Sequence, residues 1–130
     1  MTDDEMARFA RSFGPVAQAY DRGRPSYPRD AADWLVGQRA ATVLELGAGT
    51  GKLTAELVAL GHDVHATDAD AAMIEVLRER VPQARTSVSS AEEIPLDDSS
   101  VDVVVVAQAF HWFVLDTALP EMARVLKPGG

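Results

Sequence analysis

The residues with the clearest chemical potential are three closely spaced glycines, Gly47, Gly49 and Gly51, which directly follow the mostly apolar segment Val43–Leu46. A glycine has no Cβ, so the backbone can approach a bound molecule closely, and the start of the following helix offers amide donors. Asp68 lies seventeen residues beyond Gly51, where a carboxylate that ends the next strand can reach a ribose. Together these features predict a nucleotide-type binding site in an α/β sheet.

The spacing of the glycines argues against two common phosphate-binding loops. A dinucleotide fingerprint has its third glycine three residues beyond the second, whereas Gly51 follows Gly49 by only two. A P-loop would need a glycine at Leu46 and a hydroxyl residue at Leu53. An NAD-type oxidoreductase domain therefore remains an alternative only if the glycine spacing is relaxed.

Alternating strands and helices would place these residues at one edge of a parallel sheet. The second helix is expected to bury Met73 together with Ile74, and Pro120 is expected to lie in or near the first turn of the last helix. Asp70 is the better candidate for the N-cap of the second helix, which leaves Asp68 free for a ligand. The predicted strands are Thr42–Leu46, Val64–Thr67, Arg85–Ser89 and Val101–Ala107, and the predicted helices that follow the first strand are Gly51–Leu60, Ala69–Val81 and Leu115–Leu126.

The order Glu45-x-Gly47-x-Gly49-x-Gly51 resembles the first motif of class I S-adenosylmethionine-dependent methyltransferases, here of the methyltransferase type 11 kind. The segment Phe13–Pro28, which includes the run Tyr20–Pro28, resembles the amino-terminal cap of the trans-aconitate methyltransferase-like branch. Arg124–Gly130 resembles the end of the helix before the fifth strand. The resemblance implies a Rossmann-like α/β fold with strand order 3-2-1-4-5-7-6. Residues 1–41 would form cap helices and a loop over the cofactor, and residues 42–130 the S-adenosylmethionine-binding domain with order 3-2-1-4.

The resemblance also implies a set of cofactor contacts. Glu45 would accept from the ammonium of the cofactor, Tyr20 and Arg24 would meet its carboxylate, and Asp68 would accept both ribose hydroxyls. Ala69 and Met73 would flank the adenine, with a core position in its helix as the alternative for Met73. The loop after the third strand would also contact the adenine, although Ser90 stands where the family usually has an acid. In that loop the side chains of Glu92 and Glu93 are expected in solvent. The full expected cofactor set is Tyr20, Arg24, Glu45, Gly47, Ala48, Gly49, Gly51, Asp68, Ala69, Met73, Ser90, Ala91, Glu92 and Ala107.

The segment after the fourth strand offers the candidates for contact with the methyl acceptor. Gln108 and His111 would face the transferring methyl group or the acceptor, with the aromatic residues Phe110, Trp112 and Phe113 as walls. The alternative is an aromatic cluster that only seals the end of the sheet. The three histidines show no metal-ligand spacing, so no metal site is expected.

The amino-acid composition limits the classes of partner that the protein is expected to bind. The net charge of -8 repels phosphate backbones, so a nucleic-acid substrate is not expected. The chain has no cysteine, and its apolar stretches are too short to span a membrane. We expect a cytoplasmic protein that acts on a small molecule.

The resemblance implies that the chain of 130 residues ends before the fifth strand. The fourth strand would then form an open sheet edge, through which the chain could form a homo-oligomer. Two hypotheses follow: an enzyme that methylates an oxygen or nitrogen of a small acceptor, including a carboxylate, or a truncated, non-catalytic module for S-adenosylmethionine binding or dimerisation.

Overall fold

The computed structural model describes Trp34, Val36, Gly37, residues 39–106 and residues 114–130. Within this part of the chain, four parallel strands form one sheet in the order β3-β2-β1-β4. This confirms the predicted half-sheet. The strands are β1 (Thr42–Leu46), β2 (Asp63–Asp68), β3 (Arg85–Val88) and β4 (Val103–Val106).

In the described ranges 39–106 and 114–130, the strands are connected or covered by α1 (Lys52–Ala59), α2 (Ala71–Arg80) and α3 (Leu115–Val125). Successive strand residues point to opposite faces, so each face buries its own cluster. On one face Val43, Val64 and Val105 pack with Leu53 and Leu57 of α1, and Ala66 packs with Ile74 and Leu77 of α2. On the other face Leu44, Leu46, Val104 and Val106 pack with Ala118, Leu119, Met122 and Val125 of α3.

Glycine and aspartate set the ends of the first two helices. Gly51 is the left-handed residue before α1 (φ 92°), and Gly61 (φ 94°) ends it, where the amides of Gly61 and His62 donate to the carbonyls of Val58 and Leu57. This is the Schellman arrangement that frees the chain to turn into β2. Asp70 caps α2 by accepting from the Ala72 amide at 2.9 Å, as predicted.

The structure corrects three details of the predicted elements. Met73 is 40% exposed while its neighbour Ile74 is fully buried, because one helical step rotates the side chain by about 100°. Pro120 is the sixth residue of α3 rather than a first-turn residue, and its exposed position lets water reach the carbonyl that loses its helical donor. β4 begins at Val103, and Val101 instead forms an isolated parallel bridge with Leu126.

The two left-handed glycines around α1 provide a test of packing. A Cβ at Gly51 would lie 2.9 Å from Cγ of Leu77, whereas among the described residues no atom lies within 4 Å of a Cβ at Gly61. Both Gly→Ala changes force alanine into the left-handed region, which costs about 1 kcal/mol. We expect Gly61→Ala to lose only that amount, and Gly51→Ala about 2–4 kcal/mol, because it also pushes α2 away. Urea unfolding of both variants measures the difference, and equal losses would contradict the packing role of Gly51.

Candidate functional site

The candidate site is the rim where the carboxyl ends of parallel strands meet. Leu46 of β1 lies in register with Thr67 of β2 and Val106 of β4, and Asp68 of β2 with Val88 of β3. The glycine loop, the carboxylate of Asp68 and the loop after β3 therefore start side by side. Ligands of open α/β sheets bind outside this edge.

The glycine loop is tied to Asp68 by a direct hydrogen bond. The Gly49 amide donates to Oδ2 of Asp68 at 2.9 Å, and the Ala48 amide donates to the carbonyl of Thr67 at 2.9 Å. The Asp70 amide donates to Oδ1 of Asp68, also at 2.9 Å. As predicted, Asp68 is not the N-cap of α2, but both its oxygens accept from backbone amides. A carboxylate offers about four acceptor positions, so this half-buried group retains capacity for ligand hydroxyls.

The glycines of the loop differ in what surrounds them. Gly47, Gly49 and Gly51 all have positive φ, of 64°, 59° and 92°. Within the described part of the protein no atom lies within 4 Å of a Cβ built on Gly49, whereas Leu77 fills the space beside Gly51. Gly49 therefore borders open space at the rim, and Gly51 serves the packing of α1 against α2.

Glu45 lies beneath the loop rather than at its surface. Its side chain is only 2% exposed, and Oε1 accepts from the Thr54 hydroxyl of α1 at 2.5 Å. Burial raises the pKa of Glu45 to about 8, the Thr54 hydrogen bond acts in the opposite direction, and the charge of Asp68 adds to the increase. At neutral pH this carboxyl is mainly protonated. The sequence-based reasoning missed Thr54, although a hydroxyl in the first turn after a glycine loop is a usable signal.

The loop after β3 is fixed to the neighbouring strand and to α3. The Ser89 amide donates to the carbonyl of Asp68 at 3.0 Å, and Ala91 is buried in the core beneath α3. The Glu92 side chain was expected in solvent, but its Oε1 accepts from the Val114 amide at 2.7 Å. Ser90 is half-buried beside this anchored segment.

The remaining predicted site residues divide into two groups. Ala69 and Met73 are exposed next to Asp68, around the start of α2. The predicted contacts at Tyr20, Arg24, Ala107, Gln108 and His111 lie outside the described residues, as does most of the predicted cap of residues 1–41.

Metal-ligand clusters and membrane-spanning helices are both absent from the described ranges. No group of three or more His, Cys, Asp or Glu side chains there could hold a metal ion. None of the helices in these ranges has the length and apolar character needed to cross a bilayer.

A parallel sheet with a glycine loop bonded to the acid of the next strand is typical of α/β proteins that bind nucleotide-type cofactors. A family model described as "Methyltransferase domain" matches residues 44–130, and the chain belongs to this family. The family was thus predicted correctly from its motifs.

Similarity to known proteins in sequence and in structure supports the assignment to this family. An uncharacterized methyltransferase of Mycobacterium tuberculosis is 58% identical over 119 residues, which are 92% of this chain and 49% of that protein. A proposed type II methyltransferase from Anaeromyxobacter dehalogenans superposes with a TM-score of 0.73 at 38% identity, over 82% of this chain and 46% of that one. A TehB-like SAM-dependent methyltransferase from Corynebacterium glutamicum superposes with a TM-score of 0.71 at 25% identity, over 99% and 71%. The chain spans about half the length of the curated relatives it matches.

Proposed function

We propose that the rim binds S-adenosylmethionine, and that the protein to which this chain belongs transfers the methyl group to a small-molecule oxygen or nitrogen acceptor. The observation that carries the proposal is the bond between the Gly49 amide and Asp68, beside open space at Gly49. It brings a close-approach backbone and a ribose-binding carboxylate to one point. Membership of the methyltransferase family supports the same cofactor.

Each part of the rim has a role in this proposal. Asp68 would accept from the ribose hydroxyls, Gly47 and Gly49 would admit the amino-acid portion, and the Ser90–Ala91 backbone would contact the adenine. Ala69 and Met73 would flank the ring. Glu45 would meet the ammonium if the loop opens toward it, and Tyr20 and Arg24 would meet the carboxylate.

The bound cofactor would supply a methyl group activated by a sulfonium. An acceptor lone pair would take up this methyl group, and the electron pair of the broken carbon–sulfur bond would remain on sulfur. The residues of the chain would act by alignment and by exclusion of water. A carboxylate acceptor needs no base, whereas Gln108 and His111 remain candidates to orient a protonated acceptor. A cytoplasmic location is part of the proposal and is compatible with a sequence without cysteine.

A second candidate function is a non-catalytic binding or dimerisation module. It is favoured by the position of β4, which lies at the edge of the described sheet with its valines Val104–Val106 buried on both faces. A strand of this kind has backbone groups available for pairing with another copy. Size-exclusion chromatography with light scattering tests the module, and a monomeric mass would contradict dimerisation through this edge.

Calorimetric titration tests the cofactor. We expect S-adenosylmethionine and S-adenosylhomocysteine to bind with one site per chain, and NAD not to bind. The family match and the glycine spacing both favour this result over the oxidoreductase alternative. Binding of NAD alone, or of neither cofactor, would contradict the proposal. Binding without methyl loss to any small acceptor would favour the module.

A further inference from the structure

The long connection between β3 and β4 carries the residues proposed to contact adenine, yet it contains no helix or strand. It runs from Ser89 to Asp102 in turns and extended segments, apart from the single bridge residue Val101. A loop of this length is rarely held by its own backbone alone. Contacts from elsewhere in the fold must therefore define its position.

The side chain of Arg124 in α3 supplies three of these contacts. Its guanidinium donates to the backbone carbonyls of Ile94 and Leu96, both at 2.8 Å, and to Oδ1 of Asp98 at 2.8 Å. It also donates to both carboxylate oxygens of Glu121, at 2.7 and 3.0 Å. These five hydrogen bonds match the five N–H groups of a guanidinium. The side chain of Asp98 is 78% exposed, so its ion pair with Arg124 is weak. The two carbonyls and Glu121 therefore contribute most of the free energy that holds the connection on α3.

Glu121 completes the attachment from the other side. Its Oε2 accepts from the Ile94 amide at 2.8 Å, so the N–H and the C=O of Ile94 are both bound to the same pair of α3 side chains. Arg124 and then the Ile94 amide hold the pKa of Glu121 below its usual range, which keeps the acceptor ionised at neutral pH. The Ile94 side chain is 4% exposed and packs in the same core cluster as Ala91.

The attachment is close to the proposed adenine contacts along the chain. Ile94 follows Ala91 by three residues, and Glu92 between them is bound to the Val114 amide before α3. The segment is therefore fixed to both ends of one helix. A shift of the Arg124–Glu121 pair would be transmitted to the backbone of Ser90 and Ala91 over a few residues.

We propose that Arg124 and Glu121 are positioning residues that set the preference of the cofactor site for adenine over other bases. They do so by holding residues 90–98 of the connection between β3 and β4 on α3. The proposal rests on the proposed function, because it takes the rim to bind an adenine cofactor. A structural role alone would lower stability and leave the base preference of the folded protein unchanged. A positioning role changes that preference.

The test compares two ligands that differ at the base. S-adenosylhomocysteine carries adenine, and S-inosylhomocysteine carries hypoxanthine, with an oxygen in place of the amino group. We expect the wild-type chain to prefer the adenine ligand by about tenfold or more, as a site built to hydrogen-bond one group rejects its replacement. The ammonium of a lysine cannot make the five hydrogen bonds of the guanidinium. In Arg124→Lys we therefore expect the ratio of the two dissociation constants to fall close to unity. Calorimetry measures both dissociation constants.

Two further variants make the outcome decisive. Glu121→Gln is milder, since it keeps an acceptor for Arg124 while it removes the charge, and we expect an intermediate preference even if Arg124→Lys fails to fold. Arg85→Lys is the matched control, because Arg85 pairs with Asp63 near the opposite end of the sheet. It should keep the wild-type preference. A wild-type preference in folded Arg124→Lys or Glu121→Gln would overturn the positioning role alone, and a wild-type chain that binds neither ligand would overturn the proposed function with it.

Discussion

Replacement of Asp68 by asparagine is expected to weaken binding of S-adenosylhomocysteine about a hundredfold. The change preserves side-chain size but removes the charge and turns one oxygen into a donor. That donor would face the amide of Gly49 or Asp70, which both need an acceptor. Hydrogen bonds to a charged group contribute about 1.5–3 kcal/mol each, so loss of two ribose contacts accounts for about 3 kcal/mol, or a hundredfold.

Asp70→Asn is the control for this variant. Asp70 is an exposed carboxylate two residues away that caps α2, and asparagine caps a helix equally well. Calorimetry should give wild-type affinity for this variant. Wild-type affinity in folded Asp68→Asn would mean that the carboxylate does not meet the ribose and serves only to hold the glycine loop.

The strand order could be predicted because it follows from short sequence patterns, which mark each strand and helix, and from the general rule for how parallel strands are connected. Thr42–Leu46 is a short buried strand followed by glycines, and alternation of strands with helices implies right-handed parallel crossovers. Asp70 is a helix-end signal that acts within a few residues, and its predicted N-cap role was confirmed. Gly61 ends α1 through an equally local arrangement. The family resemblance extended these local patterns to the order 3-2-1-4.

The details of the site could not be predicted in the same way, because they depend on residues far apart in sequence. The bond of Gly49 to Asp68 spans 19 residues, and the contact of Arg124 with Ile94 spans 30. The exposure of Met73 depends on which face of α2 meets the sheet, a choice that a mixed apolar pattern leaves open. The one local trace of the Arg124–Glu121 pair is its i,i+3 spacing, which is common on helices without functional meaning.

Glu45 should give the protein an unusual dependence of stability on pH. Burial raises its pKa from 4.5 in the unfolded chain to about 8 in the fold. Below pH 4.5 both states are protonated and this contribution is fully present. Between pH 4.5 and 8 only the folded state keeps the proton, so stability decreases as pH rises, by up to about 5 kcal/mol in total. Above that range both states are ionised and the contribution is lost.

Glu45→Gln removes this titration while its amide oxygen can still accept from Thr54. We expect urea unfolding at pH 5, 6, 7 and 8 to show that the free energy of unfolding of the variant rises relative to that of the wild type as pH increases. The difference should reach a few kcal/mol at pH 8. Glu75→Gln, a change to an exposed glutamate of α2, should leave the wild-type slope in place. Parallel curves for Glu45→Gln and wild type would contradict a protonated Glu45.

A glutamate at position 45 lowers the stability of the fold at neutral pH, whereas a glutamine would occupy the same space without a charge to bury. The presence of a carboxyl here is therefore better explained by a role in binding than by a role in folding. The proposed ammonium contact supplies that role, because a bound cation stabilises the ionised form that the empty fold disfavours. The same Glu45→Gln variant should therefore be more stable at pH 8 and yet bind S-adenosylmethionine about tenfold more weakly, the loss of about one charged hydrogen bond. Higher stability with unchanged affinity would assign Glu45 to the support of α1 through Thr54 and leave the ammonium to other residues.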